Sequence, residues 1–254
     1  MAEVSAYVIL GRGRWAKKMR PVLAGESKAF TTIEETRQRP AETDAAYVSR
    51  LASTMTASGA QIAWLCVLPG PHISLMIQAA LEAGLHVIAE KPWYGSAEDV
   101  KRLQALAQER RRVLAVHFEY LVHPEVENWK RTFYPGEGLR FGGKFLLSRS
   151  DLSGILPMDN LGCHLLAIRE YAVPAAEIAD IQCVYEQPDE RRVWLERNGQ
   201  RIASIDLLQG SGRIIQDFMK KVEAALDEAA FPFDLNFALS VAKECNTRKT
   251  SSAA

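Results

Sequence analysis

Val4-Ser-Ala-Tyr-Val-Ile-Leu10 followed by Gly11-Arg-Gly13-Arg-Trp-Ala16 is the stretch from which the rest of the chain can be read. An apolar run stops at a glycine, and a helical pattern opens near Arg14 and closes around Gly25, which is the order strand, turn, helix. The residues fit G-x-G-x-x-A, and they stand between strand and helix, the context that gives the pattern meaning. Gly11 allows the tight turn, Gly13 lets the backbone approach a pyrophosphate, and small Ala16 lets the helix pack on the strand, so that unpaired N–H groups point at the anion. Arg12, Arg14, Lys17, Lys18 and Arg20 crowd this helix start, where cations oppose the helix dipole. A bound polyanion offsets that cost. The stretch implies dinucleotide binding by Gly11, Arg12, Gly13, Arg14, Trp15 and Ala16.

Reading outward, residues 28–33 form a second expected strand, and a polar segment broken by Pro40 leads to a helix over Thr43 to Met55. Ile62 to Leu68 is almost continuously apolar and stops at Pro69-Gly70-Pro71, as a strand buried on both faces should. In the next helix Ile73, Met76, Ile77, Ala80 and Leu81 fall on one face, with Gly84 where a C-terminal cap belongs. His86 to Ala89 is another strand, Ser96-Ala-Glu-Asp99 a capping box, and Val113 to Phe118 the last strand of the series. Such alternation defines an α/β, doubly wound parallel sheet over residues 1–118, with ligand outside the carboxyl ends of the strands. Beyond it come strand candidates at 139–148, 178–187, 191–197 and 200–208, with Asn198-Gly199 as a type I′ hairpin turn. Helical patterns lie near 158–171, 213–229 and 234–247. Residues 119–249 therefore read as a smaller α+β domain with a mainly antiparallel sheet, and 250–254 as a frayed tail.

The 254 residues carry 31 Lys plus Arg against 31 Asp plus Glu, so no global field draws nucleic acid or anionic lipid. Apolar residues make up 48%, too many for a disordered chain. No run approaches the roughly 18 apolar residues that a membrane crossing needs, and the start lacks a signal-peptide pattern, so the chain reads as soluble and cytoplasmic. Cys66, Cys163, Cys183 and Cys245 have neither zinc-site nor disulfide-framework spacing and read as thiols; no metal site is expected.

Glu34 lies 23 residues after Gly11, at the end of the second strand, where a carboxylate accepts hydrogen bonds from a free ribose 2′-hydroxyl and favours NAD. Arg12 and Arg37 offer the opposite possibility, a grip on the 2′-phosphate of NADP, with Glu34 turned away or paired to one of them. NAD(P)(H) is the expected cofactor, and the choice between the two stays open.

Val67-Leu-Pro-Gly-Pro-His72, the helix up to Gly84, and Leu85-His-Val-Ile-Ala-Glu-Lys-Pro92 together resemble the Gfo/Idh/MocA oxidoreductases. The resemblance implies that Leu68, Pro69, His72 and Glu90 contact the cofactor and that Lys91 is the catalytic lysine. Physically, a lysine at the carboxyl end of a buried parallel strand stands beside the cleft, where its amine can exchange a proton with a substrate hydroxyl or carbonyl. His86 precedes its strand and reads as structural.

The family carries an Asp-x-Gly-x-His helix facing the substrate, and Asn160-Leu-Gly-Cys-His164 is the matching stretch. In a regular helix Asn160 and His164 share a face, and Asp159 points about 100° away; an irregular helix start would restore Asp159. Asn160 can orient a hydroxyl but cannot take a proton, so acid–base work falls to Lys91 and His164. Glu119, Tyr120 and His123 follow the last strand of the first domain and are candidate substrate contacts, as is Trp93. The expected activity is hydride transfer between nicotinamide and a C–OH/C=O or C=N carbon of a small molecule. Alternatives are a non-catalytic dinucleotide sensor or scaffold, and a lyase or hydrolase using transient oxidation by bound NAD. The second sheet, with Trp194 and Leu208, is the expected homo-oligomer surface.

Overall fold

The computed structural model describes residues 6–68, 70, 72–134, 138–148 and 155–251. The chain forms two compact units, one comprising residues up to His117 together with Met219–Leu239, the other Phe118–Phe218 and the chain from Ser240.

The first unit holds a parallel sheet of β1 (Tyr7–Leu10), β2 (Phe30–Ile33), β3 (Ile62–Leu65), β4 (His86–Ala89) and β5 (Leu114–Val116), in the order β2-β1-β3-β4-β5. Between them run α1 (Arg14–Gly25), α2 (Asp44–Ala57), α3 (Ile73–Glu82) and α4 (Ala97–Glu109). β1, β3, β4 and β5 are buried at every residue, whereas edge strand β2, with Thr31 and Thr32, is only part-buried. The reversal of strand order between β1 and β3 creates the crevice in which doubly wound sheets bind ligands. α3 buries Ile73, Met76, Ile77, Ala80 and Leu81 as its periodicity predicts, each large side chain contributing roughly 1.5–3 kcal/mol relative to exposure. Gly84, at φ +77, follows its C-terminus. The capping box at Ser96 forms in both directions, the Ser96 hydroxyl accepting from the Asp99 N–H and the Asp99 carboxylate accepting from the Ser96 N–H.

Chain order places all of 119–249 in the second domain, whereas Met219–Leu239 packs with the first unit. The contacts explain it. The Tyr7 hydroxyl donates to Glu223 Oε1 at 2.7 Å, Lys28 Nζ lies 2.8 Å from the same carboxylate, and the Val116 N–H donates to the Phe233 carbonyl at 2.7 Å.

The second unit contains a four-stranded sheet of β6 (Leu139–Leu146), β7 (Glu177–Val184), β8 (Glu190–Arg197) and β9 (Gln200–Asp206), in the order β7-β6-β8-β9. The β6–β8 and β8–β9 pairings are antiparallel, and Asn198 and Gly199, at φ 51 and 76, make the expected hairpin turn. β7 instead pairs with β6 in parallel, because α6 (Cys163–Ala172) lies between them in sequence and supplies the crossover a parallel pair needs. A helix that sequence periodicity did not reveal, α5 (Pro124–Thr132), buries only Val126 and Trp129. α7 (Ile214–Ala224) and α8 (Leu235–Ser251) each cross the boundary between the units; α8 is helical through residue 251, past the expected start of the frayed tail. Trp194 does not form the open apolar seam expected on the sheet. Its ring sits over Gly142 beneath the Arg201 guanidinium, 4.4 Å away, and is 8% exposed. Among the described residues no helix is long and apolar enough to cross a membrane.

Candidate active site

Gly11 sits at φ +120, and a Cβ there would lie 2.6 Å from the Cys66 carbonyl oxygen, so the turn after β1 passes against the end of β3 in a way only glycine permits. Gly13 is the N-cap of α1, with ordinary φ of −70 and no side-chain capping bond. Nothing lies within 4 Å of the position its Cβ would take. The first turn of α1 carries no acid, Ala16 is fully buried, and Arg12 and Arg14 are exposed. This open glycine cradle at a helix N-terminus fits the pyrophosphate of a dinucleotide. Trp15 is half-buried with Lys18 Nζ 4.6 Å from its ring centroid, and its Nε1 makes no hydrogen bond among the described residues.

Glu34 directly follows β2 and is exposed, its Oε1 2.7 Å from Arg20 Nη2. Its partner is neither Arg12 nor Arg37, the two candidates in the sequence, but Arg20, more than one turn along α1. Leu68 is 76% exposed beyond β3, and His72, also exposed, is the N-cap of α3 without a side-chain bond, its ring 6.5 Å from Tyr47. Pro69 lies outside the described residues.

At the end of β4, Glu90 turns inward and Lys91 follows it, part-buried. Glu90 Oε1 accepts from the Trp64 indole at 3.2 Å and lies 3.0 Å from His117 Nδ1. His117 ends β5's run, is fully buried, and its ring stands 5.3 Å from Trp15 and 5.1 Å, edge-on, from Trp64. The Glu90 carboxylate, named as a cofactor contact from the motif, is thus engaged by a buried histidine and a tryptophan from two neighbouring strands. Sequence reasoning missed His117. The available signal was a titratable residue terminating a buried parallel strand. Trp93 is closed into the interior at 4% exposure, its ring pressed onto Gly95, so that neighbouring Tyr94 is the exposed aromatic of this loop. His86 is structural: its Nδ1 accepts the Val113 N–H at 3.0 Å, and burial, with Arg112 adding to it, pulls its imidazole down to about 4.

In the second unit the residues that follow β5 gather around His164. His164 is buried at the start of α6, with its Nε2 3.9 Å from Glu119 Oε1. Tyr120 stands edge-on to it at 5.0 Å, and Phe145 and Phe118 lie 6.2 and 6.4 Å away. Burial pushes the Tyr120 phenol up to about 12, with Glu119 adding to the shift and Arg191 opposing it, so the phenol keeps its proton at neutral pH. The helix start is irregular: Met158–Gly162 form a π-turn ahead of α6, with Asp159 buried and Asn160 part-buried. Of the two helix starts that the sequence allows, regular and irregular, the irregular one forms. The wider turn changes the angular offset of both Asn160 and Asp159, and of these two the carboxylate is the buried one. His123 does not join this group. Its Nδ1 accepts the Glu125 N–H and its Nε2 lies 2.9 Å from the Gln209 carbonyl, which commits it to capping α5.

A doubly wound parallel sheet with an open glycine cradle after its first strand defines a dinucleotide-binding Rossmann protein. Residues 6–118 match the model of the Gfo/Idh/MocA oxidoreductase family, NAD-binding Rossmann fold. A UDP-N-acetylglucosamine 3-dehydrogenase of Acidithiobacillus ferrooxidans is 28% identical, across 78% of this chain and 64% of its own length. Among solved structures, UDP-N-acetylglucosamine 3-dehydrogenase GnnA from the same organism superposes with a TM-score of 0.76 at 15% identity, covering 95% of both chains. GenD2 from gentamicin A biosynthesis, in complex with NAD, gives 0.76 at 16% identity over 100% of this chain and 95% of its own. The WlbA dehydrogenase from Thermus thermophilus, in complex with NAD and UDP-GlcNAcA, gives 0.65 at 14% identity over 89% and 91%. These likenesses establish a shared fold.

Proposed function

We propose that the protein is an NAD(P)-dependent dehydrogenase that interconverts a secondary hydroxyl and a ketone on a small, sugar-like ring, with Lys91 as proton donor and acceptor and His164 assisting. The observation that carries the reading is the strand end at β4, where Lys91 follows a carboxylate held by His117 and Trp64, in a unit whose glycine cradle accepts a dinucleotide. Gly11, Gly13 and the α1 N-terminus would hold the pyrophosphate, and Glu34 the adenosine ribose. When bound, the nicotinamide supplies the hydride acceptor or donor. Lys91 takes the hydroxyl proton in one direction and returns it in the other. His164, beside Glu119 and a protonated Tyr120, orients and shares that proton, while Asn160 donates or accepts hydrogen bonds without titrating. The ring substrate is supported by the nature of the relatives, which include a nucleotide-sugar dehydrogenase.

The test is nicotinamide absorbance with a panel of nucleotide sugars, amino sugars and cyclitols. Lys91→Ala should lower kcat at least about a hundredfold while the Kd for NADH stays within a few-fold. Unchanged turnover in that variant would remove Lys91 from the chemistry. Association of copies through the second sheet, for which exposed Ile202 and Leu208 speak, is a separate proposal, and a monomer in light scattering at micromolar concentration would end it.

A further inference from the structure

The polar segment after β2 has all of its carboxylates engaged. Glu34 is paired with Arg20 at 2.7 Å, Glu35 with Arg39 at 3.3 Å, and Glu42 with Arg50 at 2.7 Å, while Asp44 accepts from the Gln38 amide at 3.0 Å. The segment is also tied down, since the Tyr47 hydroxyl donates to the Thr36 carbonyl and Arg50 Nη2 to the Arg37 carbonyl. Two nearby cations, Arg12 of the β1–α1 turn and Arg37 of this segment, are not drawn into these pairs. Arg12 and Arg37 are exposed and enter no ion pair among the described residues. The backbone brings their segments together: Leu10 pairs with Ile33 across β1 and β2, and the Gly11 N–H donates to the Ile33 carbonyl at 2.8 Å, so the turn carrying Arg12 leaves the sheet beside Glu34.

A lone carboxylate at the end of β2 repels a ribose 2′-phosphate; one neutralised by a guanidinium, with two uncompensated cations in the adjoining segments, does not. We propose that the Arg20–Glu34 pair is the specificity determinant of the adenosine end and that this chain admits NADP(H) as well as NAD(H), Arg20 acting as the positioning and charge-compensating residue. The inference rests on the reading of residues 6–118 as a dinucleotide site.

The experiment is fluorescence titration of the wild-type protein and its Arg20→Gln, Glu34→Gln and Arg37→Gln variants with NADH and NADPH. Wild type should bind the two with Kd values within about tenfold of each other, the NADPH value rising more steeply with salt. Arg20→Gln should weaken NADPH about tenfold and NADH no more than two- to threefold, because Glu34 then faces the phosphate uncompensated. Arg37→Gln should weaken NADPH alone, and Glu34→Gln should strengthen it. NADPH binding more than about a hundredfold weaker than NADH in wild type, or a ratio unmoved by Arg20→Gln in a protein of unchanged Tm, would overturn the proposal while leaving the dinucleotide site intact. Binding of neither nucleotide by folded protein would overturn the site itself.

Discussion

Histidine at 86 and histidine at 117 stand at opposite ends of neighbouring strands, one opening β4 and the other following β5. What separates them is the partner each meets. His86 accepts a backbone N–H, which requires the neutral ring, and its imidazole falls from an ordinary 6.5 to about 4 through burial and nearby Arg112. The unfolded chain therefore binds a proton that the folded protein refuses between about pH 6.5 and 4. Stability contributed by His86 is complete above that window, declines as pH falls through it, and is lost below about 4, on the order of 2 kcal/mol after allowing for solvent screening. Urea midpoints measured from pH 7 to 4 should show this decline, and His86→Asn, whose amide oxygen can accept the same N–H, should flatten it. His117, by contrast, meets a carboxylate, and that contact makes it part of the candidate site. The sequence made Lys91 and Glu90 legible through their motif; for His117 it offers only a place at the end of a buried strand, and the carboxylate that gives that place a role lies 27 residues away.

The two glycines of the β1–α1 turn illustrate the scale of the element. Both belong to one pattern, yet the structure assigns them different work. Gly11 has a left-handed backbone and no room for a Cβ, whereas Gly13 has an ordinary backbone facing open space. Gly11→Ala should therefore cost about 1–3 kcal/mol in chemical denaturation. Gly13→Val should cost no more than about 1 kcal/mol and yet abolish NADH binding in titration, since its side chain occupies the approach to the α1 N–H groups. Folded Gly13→Val protein that binds NADH normally would show that the cradle is not the pyrophosphate site. Elements with strong local signals, such as the Ser96 capping box and the Asn198-Gly199 turn, were readable in advance. α5 was not, because a nine-residue helix burying two side chains leaves little periodicity to detect. The π-turn at Met158–Gly162 is legible only as one of two open alternatives: it differs from α-helix by one hydrogen-bond step, and apolar spacing over five residues does not distinguish the two.

Across the whole molecule, Glu223 ties a late segment of the chain to its first strand. It receives the Tyr7 hydroxyl and pairs with Lys28, and the hydroxyl is held protonated by burial and by that carboxylate. Removing the acceptor leaves two part-buried donors unmatched, so Glu223→Ala should destabilise the protein by about 2 kcal/mol, and Glu223→Gln by less, because an amide oxygen still accepts from Tyr7. Urea unfolding of the two variants checks the order. The alternation of β-branched runs with 3.6-residue periodicity, the glycine turn and the Glu-Lys-Pro strand end are local properties, each legible within some ten residues, and they sufficed for the Rossmann fold and for most of the residues proposed for its site. The pairing of Arg20 with Glu34, the burial of Trp93, the gathering of Glu119 and Tyr120 at His164, the parallel placing of β7 and the return of Met219–Leu239 to the first unit were decided only in the tertiary structure. Each depends on which distant segments the strand order makes neighbours, and a side chain's partner across a sheet leaves no mark on the residues beside it in sequence.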